Sequence, residues 1–287
     1  MNRPTLRNLW KGEWRRRYRV ELLLFLLLWS TFAYFYQSTQ QNEAVRFDQT
    51  RAIVEDHTLA INKYSSNSAD IIHYSTNGQD RIYPNKAPGT SLLAVPHFLV
   101  ASLILRPALA AGLPLGVYWH LLAYATIVFS ISLLSALAAT AMFLVLKRMT
   151  ADVGFSVLTV LAIWLGTLVF PFSTLFFSHA LAAAQLTLAF YLLFRIRHDG
   201  VKSVRRAQMF LVLAGILIGF SVTTEYPTVL LGAILTSYAL WIILRVETTS
   251  RGKARFAGAI ALGLLIGGGI LIVYNVAAFG KLIYIPY

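Results

Sequence analysis

The stretch RIYPNKAPG, residues 81–89, closes the one long polar interval of an otherwise apolar chain. This interval runs from Gln37 to Gly89, between the first and the second hydrophobic segment. It contains half of the 12 acidic residues, namely Glu43, Asp48, Glu55, Asp56, Asp70 and Asp80. We interpret residues 37–89 as a loop that carries the chemistry, and the hydrophobic segments as the part that holds this loop at a membrane surface.

The composition is typical of a membrane protein. Of the 287 residues 57% are hydrophobic and 13% are charged, and the mean hydropathy is +0.63. A net charge of +13 would suggest nucleic acid in a soluble protein. Here the basic residues cluster at the ends of apolar runs, where they set membrane orientation. We therefore expect a lipid bilayer as partner and no nucleic acid. The chain has no cysteine, which excludes disulfides, thiolate ligands and cysteine nucleophiles.

The amino-terminal segment predicts the orientation of the chain. Residues 1–19 are strongly basic, and the apolar run 20–36 that follows is long enough to cross a bilayer. Because no small-residue cleavage site follows, we interpret 20–36 as a first transmembrane helix and not as a signal peptide. Residues 1–19 are then cytoplasmic and the 37–89 loop is outside. The absence of an Asn-x-Ser/Thr sequon favours a bacterial inner membrane.

Seven further apolar segments follow the loop: 90–109, 117–146, 153–171, 173–196, 207–225, 227–246 and 257–279. The later basic clusters, the first at Lys147 and Arg148, can all be cytoplasmic only if the first two segments cross the membrane an odd number of times. We therefore predict that 117–146 crosses and that 90–109 is a helix in the outer interface. The alternative, an ordinary span at 90–109, would place Lys147 and Arg148 outside.

These observations predict an all-α polytopic membrane protein with about seven transmembrane helices. A long outer first loop carries short juxtamembrane helices, the interfacial helix 90–109 follows, and residues 117–279 form a six-span bundle. Small residues recur every fourth position at Gly215 and Gly219 and at Gly263 and Gly267, which predicts close helix packing.

Within the loop, residues 42–56 predict a helix with Asn42 as its N-cap. Asp48, Arg51 and Glu55 are spaced three and four apart, so they share one face of this helix. The alternative to a functional face is a solvated ladder of salt bridges. Residues 70–83 predict a hairpin that turns at Asn77-Gly78.

Ionisable groups lie at the outer ends of several predicted helices. Lys86 precedes a helix start, where an ammonium and unpaired N–H groups together favour an anion, and at a bilayer the expected anion is a lipid phosphate. The alternative is that Lys86 only extends to the headgroups. His120, His179 and Glu225 border spans on the outer side, where the default interpretation of an ionisable group is functional and bundle-facing.

The chain resembles the GT-C superfamily of membrane glycosyltransferases, which use polyprenyl-phosphate-linked sugars. The pattern is similar to the protein O-mannosyltransferases and the lipid A aminoarabinose transferases. The resemblance rests on RFDQTRAIVE (46–55), TLAIN (58–62) and RIYPNKAPG (81–89), which are similar to the family's acidic first loop and its Tyr-x-x-Lys-Pro-Pro-Leu-like element. The order of span, acidic loop, interfacial helix and further spans also matches over essentially the whole chain.

The resemblance implies a catalytic base in the first loop, where the family commonly has an Asp-Asp or Asp-Glu pair. Asn42-Glu43 stands at the position of that pair and Asp48 follows one to two turns later, so the base is Glu43 or Asp48, with Asp48 preferred. Lys86 matches the lysine that binds the lipid phosphate. The predicted substrate-binding residues are Lys86, Arg51, Glu55, Tyr83, His179 and Glu225.

The implied activity is transfer of a sugar from a polyprenyl-phosphate donor to a lipid, glycan or protein acceptor at the outer face, with inversion. No cofactor follows from the sequence; a divalent cation could bind the carboxylates of the loop, but no ligand spacing is diagnostic. Residues 280–287 resemble the start of another outer loop, so we expect a fragment, a shortened relative or one part of a split enzyme. The alternatives are a non-catalytic or truncated GT-C-like subunit and a lipid or solute transporter.

Overall fold

The computed structural model describes residues 19–38, 41–76, 79–246 and 248–286. Its helices are α1 Arg19–Tyr34, α2 Gln41–Glu55, α3 Gly89–Ala110, α4 Leu115–Ile127, α5 Leu133–Thr150, α6 Val153–Gly166, α7 Val169–Phe172, α8 Ser178–Asp199, α9 Val204–Thr224, α10 Thr228–Arg245 and α11 Ser250–Phe279. A π-helical turn, Val128–Ser132, joins α4 and α5. Between α2 and α3 lie a 3-10 helix, Asn62–Asn67, and the strands β1 Ile71–Thr76 and β2 Gln79–Pro84.

Within the described residues, six helices are long and apolar enough to cross a membrane: Gly89–Ala110, Leu115–Thr150, Ser178–Asp199, Val204–Thr224, Thr228–Arg245 and Ser250–Phe279. The protein is therefore an all-α polytopic membrane protein, as the sequence predicted. The predicted first span corresponds to α1, which has 16 residues. Of the basic segment 1–19, only Arg19 is among the described residues.

The predicted span 153–171 is divided into two helices. α6 has 14 residues, which is about 21 Å at the usual rise of 1.5 Å per residue. This is shorter than the roughly 30 Å hydrocarbon core of a bilayer. The division occurs at Thr167, whose extended backbone ends α6 before the short helix α7 begins.

Polar contacts distinguish the two ends of the bundle. At one end, which we call the basic end, Lys147 Nζ lies 2.9 Å from Glu21 Oε1 and Arg148 lies 3.8 Å from Asp199. At the other, the loop end, the Gln37 N–H donates to the Thr174 carbonyl at 3.3 Å. The structure thus places Lys147 and Arg148 at the same end as the start of α1. That this end faces the cytoplasm stays a prediction.

Helix α3 packs at the loop end at its start and in its middle. A Cβ added to Gly89 would lie 2.6 Å from Thr224 Cα, so only glycine permits this approach to the end of α9. Further along, Phe98 and Ala101 pack with Leu122 of α4, the half of the long helix that is remote from Lys147. This packing fits the predicted interfacial position, although the 22 residues of α3 are also sufficient to cross a membrane. The interfacial position stays a prediction.

The predicted close packing of small residues is confirmed between α9 and α11. A Cβ on Gly215 would lie 2.8 Å from the Leu264 nitrogen, and a Cβ on Gly219 would lie 2.6 Å from the Gly268 nitrogen. The backbones of the two helices therefore touch along this seam, which only glycine allows.

The predicted loop elements are also present. α2 covers the expected helix, but within the described residues it begins at Gln41, so Asn42 lies in its first turn and is not its N-cap. The strands pair antiparallel, with Ile72 opposite Tyr83, as the hairpin prediction required. The predicted turn residues Asn77 and Gly78 lie outside the described residues.

Candidate functional site

Helix α2 lies between the hairpin and the bundle, and most of its polar side chains are buried. Successive residues of a helix point about 100° apart, so Arg46 and Asp48 leave α2 in nearly opposite directions. Arg46 reaches the bundle and donates to Ser178 Oγ at 3.2 Å, whereas Asp48 reaches the 3-10 helix. The polar residues around α2 consequently form separate groups.

The Asp48 carboxylate is buried in the 37–89 loop, with 5% of the residue exposed. Asn67 Nδ2 donates to its Oδ2 at 3.0 Å. Burial raises the pKa of Asp48 to about 6, while the bond from Asn67 and the positive charge of Arg51 act in the opposite direction. A carboxyl with this pKa is ionised at neutral pH and is still a usable base, since a base works best when its pKa is near the working pH.

The Lys86 ammonium lies 3.4 Å from Asp70 Oδ1, and its side chain is 19% exposed. Asp70 is three residues after Asn67, the hydrogen-bond partner of Asp48. The segment 67–70 therefore contacts both the predicted base, Asp48, and the lysine that is predicted to bind phosphate, Lys86. We call this arrangement the Asp48–Lys86 corner. Among the described residues, the buried Thr90 hydroxyl at the start of α3 has no hydrogen-bond partner.

A second group joins α2 to the bundle. Glu225, in the link between α9 and α10, accepts a short hydrogen bond from Ser178 and lies 3.4 Å from His179 Nδ1. Burial raises the pKa of Glu225, but the contacts with His179 and Ser178 and the charge of Arg46 outweigh it and hold the pKa below its usual value. His179 is further fixed by the rings of Phe172 and Phe177, at 5.1 and 4.8 Å.

We call Arg46, Ser178, His179 and Glu225 the Glu225 cluster. The sequence analysis named His179 and Glu225 as site residues, and the structure brings them into contact. It did not name Arg46 or Ser178. The available signals were weak: Arg46 is a basic residue that lies away from the basic clusters at the ends of the apolar runs, and Ser178 directly precedes His179. Because Arg46 and Asp48 diverge, this cluster lies on the face of α2 away from Asp48.

Arg51 and Glu55 form a third group with aromatic residues. Arg51 Nε lies 2.7 Å from Glu55 Oε2, as their i, i+4 spacing suggested. The Arg51 guanidinium also lies 3.8 Å from the ring centre of Trp119 and 4.5 Å from that of Tyr64. This group borders a cavity between α2 and α4.

Two further predicted site residues are buried. Glu43 is buried in the first turn of α2. Tyr83 is 1% exposed and donates its hydroxyl to the Ala278 carbonyl at 3.0 Å, while its ring lies 4.8 Å from that of Phe279. Tyr83 therefore attaches the hairpin to the end of α11. Its predicted contact with substrate, like the catalytic role of Glu43, stays a prediction.

No three His, Asp or Glu side chains converge as a metal site in the part of the chain that the structure describes. No family model, curated protein or solved structure matches this chain. The resemblance to the GT-C superfamily accordingly stays an interpretation of the sequence. What can be argued further comes from the geometry of the three groups around α2.

Proposed function

We propose that the protein transfers a sugar from a polyprenyl-phosphate donor to an acceptor at the outer face of a bacterial inner membrane. The observation that carries this proposal is the Asp48–Lys86 corner. A buried carboxyl with a pKa of about 6 and a mostly buried lysine contact the same short segment of the loop.

The proposed reaction assigns one role to each residue. Asp48 accepts the proton of an acceptor hydroxyl while that oxygen bonds to the anomeric carbon. The bond from this carbon to the phosphate oxygen breaks, and the leaving phosphate is stabilised by Lys86, an electrostatic contribution that is largest where water is excluded. Attack and departure on opposite faces of the sugar give inversion.

Asp70 neutralises Lys86 when no donor is bound. The two side chains are 31% and 19% exposed, so the pair is accessible from one side. A lipid phosphate would replace Asp70 as the partner of Lys86. The Thr90 hydroxyl at the start of α3, which has no hydrogen-bond partner among the described residues, is a further donor within four residues of Lys86.

The arrangement of polar groups supports an enzyme more than a transporter. Transporters usually place polar groups or broken helices at mid-membrane. Two polar residues within spans, Ser132 and Gln185, bond toward the loop end: Ser132 Oγ donates to the Ser173 carbonyl at 2.8 Å, and Gln185 Nε2 donates to Thr224 Oγ1 at 3.2 Å.

Donor binding is tested by native mass spectrometry of purified protein with a long-chain polyprenyl phosphate. We expect wild type to retain this lipid and Lys86→Ala to lose it. The control is Lys63→Ala, because Lys63 is an exposed loop lysine that also pairs with an aspartate, Asp56. If wild type retains no lipid, or if both variants behave alike, donor binding at Lys86 is excluded.

The chemical step is tested in proteoliposomes with a panel of polyprenyl-phosphate sugars. Asp48→Asn should retain the lipid and lose roughly 10²- to 10⁴-fold in transfer, the usual contribution of a general base. For wild type, the rate should rise with pH through about 6, as Asp48 loses its proton. Full transfer by Asp48→Asn would remove Asp48 from the mechanism.

The proposed orientation can be tested with single cysteines, because the natural chain has none. Ser75 is exposed in β1, and Thr248 is exposed in the link between α10 and α11. In intact cells, a membrane-impermeant maleimide should label Ser75→Cys and spare Thr248→Cys. The reverse pattern would place the loop in the cytoplasm.

A further inference from the structure

A cavity of about 320 Å³ lies between α2 and α4, on the side of α2 that carries Arg51. Its lining includes Tyr36, Ser38, Arg51, Trp119 and His120. The volume is near the lower bound of typical small-ligand sites, roughly 300–1,000 Å³. Neither the Asp48–Lys86 corner nor the Glu225 cluster contributes to this lining.

Arg51 is held rigidly at the edge of this cavity. Its guanidinium contacts the rings of Trp119 and Tyr64, and its Nε pairs with Glu55. Tyr64 is fixed in turn, because its hydroxyl donates to Asp56 Oδ2 at 2.5 Å. Among the described residues, no acceptor bonds to the two terminal nitrogens of Arg51. Two oriented donors are thus available to a ligand.

The other polar groups of the cavity are similarly available. Within the described ranges, the Trp119 indole N–H and the His120 ring nitrogens have no hydrogen-bond partner, and His120 contacts Tyr36 only edge to face, at 5.5 Å between ring centres. The cavity therefore combines hydrogen-bonding groups with the apolar surfaces of aromatic rings.

The charge balance selects the class of ligand. Glu55 lies 2.7 Å from Arg51 and neutralises most of its field, so a phosphate or carboxylate would meet little net attraction. A ring with several hydroxyls suits the site better, since hydroxyls can both donate and accept while the C–H face of the ring packs on an aromatic side chain.

We propose that this cavity binds a pyranose ring of a neutral glycan. We further assign this ring to the acceptor, an assignment that rests on the proposed function. Arg51 is three residues after Asp48 on α2, so the two side chains leave the helix on adjacent sides. A sugar held by Arg51 and Trp119 would lie beside the proposed base.

The test is saturation-transfer-difference NMR on protein in nanodiscs, with methyl glucoside, mannoside and galactoside as probes. Nanodiscs matter because maltoside detergents would compete with the probes. We expect ring-proton saturation with at least one glycoside from wild type, and a roughly 3- to 10-fold reduction in Trp119→Ala, about the contribution of one aromatic contact. His120→Ala should also reduce it, and this exposed residue can change without disturbing the fold.

The control is Trp241→Ala, since Trp241 is also exposed and near arginines, at 5.3 Å from Arg197 and 5.9 Å from Arg245. It should leave saturation unchanged. Three outcomes would overturn the proposal: equal saturation of the glycosides by wild type and all variants, no saturation by wild type, or saturation of glycerol phosphate instead of the glycosides. Donor retention at Lys86 is measured separately, so glycoside binding with no lipid retention would leave the sugar site standing and remove only its assignment to the acceptor.

Discussion

The Lys86 ammonium lies 3.4 Å from the Asp70 carboxylate, so the charge of the lysine that is predicted to bind phosphate is neutralised within the protein. Three residues earlier, Asn67 donates to the carboxylate of Asp48. A single short segment therefore contacts both proposed catalytic groups, and it brings a second carboxylate, Asp70, beside Lys86. Asp70 was counted among the acidic residues of the loop, but its pairing with Lys86 was not predicted.

Removing Asp70 should strengthen phosphate binding. Asp70→Asn keeps the size of the side chain and removes the charge that competes with a phosphate for Lys86. Because partly exposed ion pairs contribute about 0.2–1 kcal/mol, the Kd for a polyprenyl phosphate should fall roughly 1.4- to 5-fold. A titration followed by native mass spectrometry measures this change. Weaker binding in Asp70→Asn would instead mean that Asp70 is needed to position Lys86.

The raised pKa of Asp48 predicts how stability depends on pH. The folded state keeps this proton up to about pH 6, whereas an ordinary aspartate loses it near 3.8. The folded state therefore binds more protons between these values, and stability falls as the pH rises through this window. Asp48→Asn should raise Tm at pH 8 by about 2–6 °C and leave it nearly unchanged near pH 3, where both states are mostly protonated.

Asp80 provides a control, because its pKa is shifted in the direction opposite to that of Asp48. Its hydrogen bond with His73 holds the pKa of this exposed carboxyl below the usual value. Asp80→Asn should therefore not raise Tm at pH 8. Thermal unfolding in micelles at the two pH values distinguishes the variants. A Tm for Asp48→Asn that is equal to or below that of wild type at pH 8 would mean that the ionised carboxylate is well accommodated.

The fold was predictable because its signals are local. Apolar length gave the membrane helices, the spacing of Asn77-Gly78 between β-prone runs gave the hairpin, and Gly215 and Gly219 gave the helix seam. The interruption at Thr167 was missed because Gly166 and Thr167 lower the hydropathy over only two residues of an otherwise apolar run. α6 instead ends where the backbone becomes extended.

The candidate site was predictable only in part, because its contacts join residues remote in sequence. The pair of Arg51 with Glu55 follows from helical spacing. The contact of Arg46 with Ser178 joins residues 132 positions apart, and that of Arg51 with Trp119 depends on where α4 packs. The sequence predicted Glu225 and His179 as site residues. That they lie on the opposite side of α2 from the proposed base Asp48 could be seen only once the structure gave the position of α2.

The seam between α9 and α11 offers a sharp test of packing. A Cβ on Gly267 would lie 2.7 Å from the Phe220 nitrogen, whereas a Cβ on the adjacent Gly268 meets no atom within 4 Å. Gly267→Ala should destabilise the protein by about 1–3 kcal/mol, the usual effect of overpacking. Gly268→Ala should be neutral or slightly stabilising, because alanine favours the helix. Unfolding in mixed micelles compares the two, and equal effects would contradict a close crossing.

Glu225 should matter more for stability than another carboxylate that also contacts a histidine. Glu225 accepts from Ser178, pairs with His179 and lies near the buried Arg46, so Glu225→Ala removes an acceptor from partly buried donors. Leaving such groups without a partner costs about 1–3 kcal/mol. Asp80→Ala breaks a comparable contact with His73, but both of those side chains are more than half exposed, so its Tm should fall much less. Unfolding of the two variants side by side makes the comparison, and matching Tm values would show that the Glu225 cluster is solvated like the hairpin pair and does not anchor α2 to the bundle.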